Sequence, residues 1–329
     1  MNISVVIPFY NLERYVRPCL DSVVAAFRRA GDDVSLQLVC VDDGSSDSTS
    51  VLLDEYAASS AAVPGLSVCV IHQPNGGEGS ARNAGVAAAT GDWVTFLDGD
   101  DVWLPNHLEV AVPLLGRHPV ADIVALKYSD FDDGAKPPEP TIAGTKVFDL
   151  GESVPSEVVL EVGVFPTFFR RGFLDGARFL ALPLGADRLF MAQCFARARA
   201  VVKCDAVVHG YRVRAGSMAR AVWNARKVES QCDYAFGSLE ALAASGRRVG
   251  REGAEYLASL WLSDVPNRLA RLPRAERRGA WEHWRETLGS DCVHSLPRFD
   301  LVRRALRRLS FSMSFSLAAA RLLRKGGVS

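Results

Sequence analysis

No stretch of the chain is apolar for long enough to cross a bilayer, since none reaches the roughly 18 to 20 uncharged apolar residues that a spanning helix needs. The opening Met1-Asn2-Ile3-Ser4-Val5-Val6-Ile7-Pro8 lacks the basic residues of a secretory leader, and its apolar run stops at a proline. An excess of one charge is lacking too. Lys plus Arg and Asp plus Glu each total 38 in 329 residues, so no global field recruits nucleic acid. The seven cysteines (19, 40, 69, 194, 204, 232 and 292) are odd in number and never spaced as Cys-x-x-Cys. They read as reduced structural thiols of a cytoplasmic protein, with Cys40 and Cys69 as small core residues inside apolar runs. Internal repeats and low-complexity tracts are absent as well.

Two alternating periodicities fill the first hundred residues. Ser4–Pro8, Leu36–Val41, Leu66–Ile71 and Trp93–Leu97 are short β-branched or apolar runs bounded by turn residues, which predicts strands. Helical patterns lie between them near Arg14–Arg29, Ser48–Ser59 and Glu78–Ala89. Strand and helix in alternation predict an α/β fold, a mostly parallel sheet sandwiched by helices. Continuous runs such as Leu38-Val39-Cys40-Val41 suit strands buried on both faces. Farther on, Asp130–Thr145 reads as a surface loop, Val158–Arg170 as strand and Leu184–Arg199 as helix. From about Ala221 the chain becomes helical and Arg-rich, with breaks at Pro266, Pro273 and Pro297.

In such sheets ligands bind outside the carboxyl ends of the strands, and three of these ends carry polar or special residues. The first closes on Pro8-Phe9-Tyr10-Asn11, the second on Asp42-Asp43-Gly44-Ser45-Ser46-Asp47, the fourth on Asp98-Gly99-Asp100-Asp101. Brought together, five or six carboxylates repel strongly unless a cation joins them. Two aspartates leaving a strand around a glycine suit a hard divalent ion such as magnesium or manganese, whose shell substrate phosphates complete. Asp43, Asp98 and Asp100 are therefore expected around an ion that grips a diphosphate. Of the second acidic end, Ser46, Asp47 or Ser48 is expected to cap the following helix, which leaves an adjacent aspartate for a base or ribose.

Taken in order, Ser4-Val5-Val6-Ile7-Pro8-Phe9-Tyr10-Asn11, Val41-Asp42-Asp43-Gly44-Ser45-Ser46-Asp47, Gly79-Ser80-Ala81-Arg82-Asn83-Ala84-Gly85 and Gly91-Asp92-Trp93-Val94-Thr95-Phe96-Leu97-Asp98-Gly99-Asp100-Asp101 resemble the family 2 glycosyltransferases. The resemblance implies a GT-A fold, a nucleoside-diphosphate sugar donor (UDP-linked) and inversion at the anomeric carbon. It implies that Pro8 and Tyr10 line the base pocket, Asp43 bonds the base, Arg82 faces the donor, Asp98 approaches ribose and metal, and Asp100 holds the metal, Mn2+ or Mg2+. Asn83 and Gly85 can equally serve helix packing. More loosely, the likeness runs to about residue 220. Leu184-Gly185-Ala186-Asp187-Arg188-Leu189-Phe190 resembles a Glu-Asp-x-x-Phe motif whose Asp is the general base, here Asp187, with Ala186 in place of the Glu. His209-Gly210-Tyr211-Arg212-Val213-Arg214 resembles the loop over the donor pyrophosphate, with Arg212 and Arg214 as guanidinium partners for that anion. Gly210 stands where the family has His, and His209 lies beside it.

These readings give a GT-A domain over 1–220, with a donor half to about 105 and an acceptor half after it, and a C-terminal helical region over 221–329. They give transfer to a hydroxyl acceptor (a glycan, a lipid-linked intermediate or a small molecule), and a role in cell-surface glycan or polymer synthesis. Two alternatives stand beside the enzyme: a non-catalytic sugar-binding or scaffold protein that kept the fold, and a sugar nucleotidyltransferase. Pro8-Phe9-Tyr10-Asn11-Leu12 lacks the glycines that the nucleotidyltransferase needs after its first strand. Gly77-Glu78-Gly79-Ser80-Ala81-Arg82 lacks the third glycine of a dinucleotide fingerprint. Between Arg298 and Lys325, eight basic residues interleave with apolar ones against one acid, Asp300. That pattern predicts a basic amphipathic helix that docks on the protein or makes weak peripheral contact with the inner membrane face.

Overall fold

The computed structural model describes residues 1–60, 62–214 and 223–288. The basic segment 298–325 and Cys292 lie outside them. The chain divides into two compact units. One comprises Met1–Gly151, Val162–Ala181 and Ala198–Ser217, and the other Glu152–Glu161, Leu182–Arg197 and the chain from Met218.

The first unit is built on a nine-stranded sheet. Its strands are β1 (Asn2–Phe9), β2 (Ser35–Asp42), β3 (Leu66–His72), β4 (Trp93–Phe96), β5 (Val102–Trp103), β6 (Ile123–Asp132), β7 (Thr145–Asp149), β9 (Thr167–Arg170) and β10 (Ala200–Val213). Their order is β3-β2-β1-β4-β9-β6-β10-β5, with β7 also paired to β10. Pairing is parallel from β3 to β4 and between β6 and β10. The intervening β9 is antiparallel to both β4 and β6. Two reversals restore direction, so β1, β2, β4, β6 and β10 all end on one edge of the sheet. That shared edge positions the site.

Burial on both faces explains the unbroken apolar runs. Ile3, Val5, Ile7 and Phe9 of β1 join a core with Val16, Leu20, Val23 and Phe27 of α1 (Val16–Phe27), a stripe at helical spacing. Helices α2 (Thr49–Ser60) and α4 (His107–Arg117) pack beside α1. The other face of β1 carries α3 (Glu78–Ala88). There Gly85 lies so close to Val6 that an added Cβ would fall 2.2 Å from its Cγ1.

The second unit is largely helical: α5 (Ser156–Glu161), α6 (Ala186–Arg197), α7 (Ala225–Ala244), α8 (Arg251–Ser259), α9 (Val265–Leu269) and α10 (Arg274–Leu288). It also holds a two-stranded ribbon of β8 (Ser153–Val154) and β11 (Arg248–Val249). Trp261 and Trp284 are buried at its centre, and the Trp284 Nε1 donates to the Trp261 carbonyl.

Two expectations need correction. The run 158–170 is not one strand: its first residues complete α5, and only Thr167–Arg170 is extended. Asp130–Thr145 is not wholly loop, because β6 continues to Asp132 and β7 begins at Thr145, leaving an exposed connection between them. The described cysteines are free, and Cys69 is half-buried rather than core. Among the described residues no helix is long and apolar enough to cross a membrane.

Candidate active site

The loops after β1 and β2 are stapled together by short polar side chains. Asn11, at φ 52°, accepts from the Ser46 amide at 2.8 Å, and its own amide donates to Ser45 Oγ at 3.0 Å. The Leu12 amide donates to Thr49 Oγ1 at 2.9 Å, and Asp47 Oδ1 accepts from the Thr49 amide at the start of α2. This stapling leaves Pro8 buried and the Tyr10 ring half exposed at 51% beside the end of β2.

Asp42 and Asp43 are both buried, and each is spoken for. Asp42 accepts from the Ser45 amide and faces His72 Nδ1 at 3.1 Å. Asp43 accepts from Gln73 Nε2 at 2.7 Å, the Gly76 amide at 2.9 Å and the Gly77 amide at 2.8 Å. A carboxylate offers about four acceptor directions, so one remains on Asp43. Gly44 is required here: its φ is 74°, and an added Cβ would meet the Asn75 amide nitrogen at 2.8 Å.

At the end of β4 the glycine of Asp98-Gly99-Asp100 is likewise forced. A Cβ on Gly99 would fall 2.5 Å from the Phe9 ring and 2.8 Å from the Pro8 carbonyl oxygen. The acidic turn is pressed against the end of β1, and its two flanking carboxylates are steered by arginines. Arg82, buried on α3, donates to Asp98 Oδ1 at 2.7 Å and pairs with Glu78 one turn earlier. Its guanidinium lies over the Phe179 ring, which Asn83 fixes through two bonds to the Phe179 backbone. Burial holds the Asp98 carboxyl well above the usual carboxylate range despite Arg82, with Glu78, Asp101 and Asp100 adding to the rise.

Asp100 accepts from Arg214 Nε at 2.5 Å, and its carbonyl accepts from Arg212 Nε at 2.6 Å. Arg212 also reaches Asp133 and stacks over Phe131, while both arginines lie over the Tyr15 ring. Asp101 is wholly buried. One of its oxygens faces His209 Nε2 at 2.9 Å, and the other accepts from the Arg212 amide at 2.7 Å. Asp187 stands in the first turn of α6, in the second unit, half-buried. Before it, Gly185 has φ 76° and lies where any Cβ would enter the Tyr234 ring, and both backbone polar groups of Leu184 bond to Ser230 Oγ.

The expected ring of three carboxylates does not form. Among the described residues no group of three or more acids, histidines or cysteines is placed to hold a metal. Asp43 is held by the 73–77 loop, and the cations that relieve the crowding at the turn are guanidinium groups. Asp98 and Asp100 still suit a magnesium- or manganese-like ion bound through one or two carboxylates and substrate phosphates rather than in an all-protein cage. Tyr15, Glu78, Asp101 and Asp133 were not singled out by sequence reasoning. Glu78 carried a local signal in its spacing of four from Arg82, and Asp101 in its place at the acidic end of the fourth strand.

A sheet whose carboxyl edge brings an Asp-Gly-Asp turn against three arginines, flanked by helices on both faces, is the GT-A architecture. The structure superposes on a crystal structure of S. aureus TarS in complex with UDP-GlcNAc, with a TM-score of 0.62 and 20% identity over 93% of this chain and 83% of that one. It also superposes on the mannosyltransferase PcManGT from Pyrobaculum calidifontis in complex with GDP-Man and Mn2+, with a TM-score of 0.54 and 16% identity, covering 95% and 88%. Residues 4–174 match the family model described as Glycosyl transferase family 2, and the chain belongs to that family. It is 25% identical over 272 residues to the glycosyltransferase GlyA of Streptococcus pneumoniae, covering 79% of this chain and 37% of GlyA. To the putative glycosyltransferase EpsH of Bacillus subtilis it is 29% identical over 231 residues, covering 66% and 62%. The chain thus spans less than two thirds of either relative.

Proposed function

We propose that the protein is an inverting glycosyltransferase that moves a sugar from a nucleoside diphosphate, UDP in the first instance, to an acceptor hydroxyl. The observation that carries this is the meeting of Asp98 and Asp100 with Arg82, Arg212 and Arg214 at one edge of the sheet. Anionic donor phosphates match the arginines. The UDP-GlcNAc and GDP-Man complexes of the two structural relatives support a nucleotide sugar as donor.

Pro8 and Tyr10 border the base, with the remaining acceptor direction of Asp43 available to a base N–H. Arg82 orients Asp98 toward the ribose. Arg212 and Arg214 exchange their bonds to the Asp100 segment for the diphosphate oxygens and stabilise the charge that grows there as the bond to the sugar breaks. Asp187 takes the proton of the attacking hydroxyl. A divalent ion held by Asp98 and Asp100 would act as a Lewis acid toward the departing diphosphate. The domain reading stays a proposal: 1–220 as the GT-A domain, with the helical region after it.

A screen of nucleotide sugars with manganese tests the reading, scored by thermal stabilisation and donor hydrolysis. One nucleotide class should stabilise the protein and be hydrolysed slowly. Stabilisation without hydrolysis or transfer in any acceptor mixture would favour the non-catalytic sugar-binding alternative.

A further inference from the structure

The face of β10 turned away from Arg212 and Arg214 carries a distinct surface. Successive strand residues point to opposite sides, so His209 and Tyr211 share a face that the arginines do not. In the parallel register His209 lies opposite Tyr128, and Tyr211 opposite Asp130, on β6. Phe165, in the turn before β9, completes the group. Its ring stacks on His209 at 5.5 Å and 17°, and on Tyr211 at 6.1 Å and 4°. Tyr128 closes the cluster at 5.7 Å from Tyr211. Tyr128 is 49% exposed, and Phe165 and Tyr211 are half-buried, so aromatic surface of all three reaches solvent.

We propose that Tyr128, Phe165 and Tyr211 form the acceptor subsite and take a pyranose ring against its C–H face. The proposal rests on the glycosyltransferase reading and names what that reading leaves open. A pyranose is flat and apolar over its axial C–H groups and polar at its rim. Aromatic surface matches the first feature, and the exposed Asp130 carboxylate matches the second. Position supports the same occupant. The cluster lies at the carboxyl edge where β1, β4 and β10 also end, and the buried His209 joins it to the acidic turn, stacking on Phe165 while facing Asp101 at 2.9 Å. An open-chain polyol has no comparable flat face, so the subsite selects a cyclic sugar over a polyol phosphate.

Saturation-transfer NMR tests this with methyl glycosides of glucose, galactose, mannose and N-acetylglucosamine as probes and ribitol as the open-chain control. At least one pyranoside should receive saturation on its ring C–H protons, and ribitol much less. Tyr128→Ala should cut that signal by about threefold or more, in line with the loss of one aromatic contact, whereas Tyr211→Phe should keep it. A cooperative thermal unfolding transition like the parent's serves as the folding control for each variant. No saturation of any pyranoside, equal saturation of ribitol, or an unchanged signal in a folded Tyr128→Ala protein would overturn the proposal. If the parent protein gives no nucleotide-dependent stabilisation, the glycosyltransferase reading fails instead, and the ring variants still decide the subsite.

Discussion

Arg214 Nε lies 2.5 Å from Asp100 Oδ2, so the second carboxylate of the acidic turn already has a cation. Burial pulls the Arg214 guanidinium down, but its bond to the Asp100 carboxylate and the charge there lift it above its ordinary range. A divalent ion must compete with it for Asp100. Arg214→Ala should therefore strengthen manganese binding in the absence of nucleotide while weakening nucleotide diphosphate binding by about tenfold. Calorimetry with each ligand separately checks both. Affinities that move in the same direction would refute the exchange.

Asp187→Asn keeps size and hydrogen bonding but cannot take a proton. Transfer should fall by about 10² to 10⁴, the range expected when a general base is lost. The nucleotide-induced rise in Tm should stay as in the parent. A variant with near-parental turnover would exclude Asp187 as the base.

Gly85→Ala drives a methyl group to 2.2 Å from Val6 Cγ1, where neither the helix nor the buried strand has room to yield. Overpacking of this kind costs about 1–3 kcal/mol. Val6→Ala opens the space, so the double variant should lose less stability than the sum of the single changes. Additive losses in a denaturant series would show that the contact is not the constraint.

His72 faces Asp42 through one ring nitrogen and Asp54 through the other, and those two bonds raise its pKa above 6.5. A raised histidine pKa stabilises the fold fully below the unfolded value and loses that effect as pH climbs through the folded value. His72→Gln should therefore be less stable than the parent near pH 6 and equal to it at higher pH. With 44% of the His72 side chain exposed, the difference should stay under about 1 kcal/mol. A gap that widened with rising pH would contradict the assignment.

The strands and helices up to Phe96 were legible because each buried run ends in residues with one local meaning. Gly44 and Gly99 mark places where backbone approaches backbone, and that constraint is written in the chain itself. The run 158–170 was not legible. Val158 and Val159 favour strands by shape, but they complete a short helix after Pro155, and so brief an apolar run has no periodicity to distinguish the two. The setting of Asp43 was hidden for another reason: two of its three partners are backbone amides of a loop more than thirty residues away, and backbone amides leave no trace in composition. Tyr15, Asp101 and Asp133 join Arg212 across more than seventy residues of chain or through ring faces, relationships that only the folded sheet creates.

Asp101 binds the acidic turn to β10 twice, through His209 and through the amide of Arg212. Turn and strand are thereby joined at two points beside the proposed nucleotide site. In the proposed reaction, product release would then turn on the guanidinium groups of Arg212 and Arg214 rather than on the acidic turn parting from β10. Replacing Asp101 would remove both of these bonds at once.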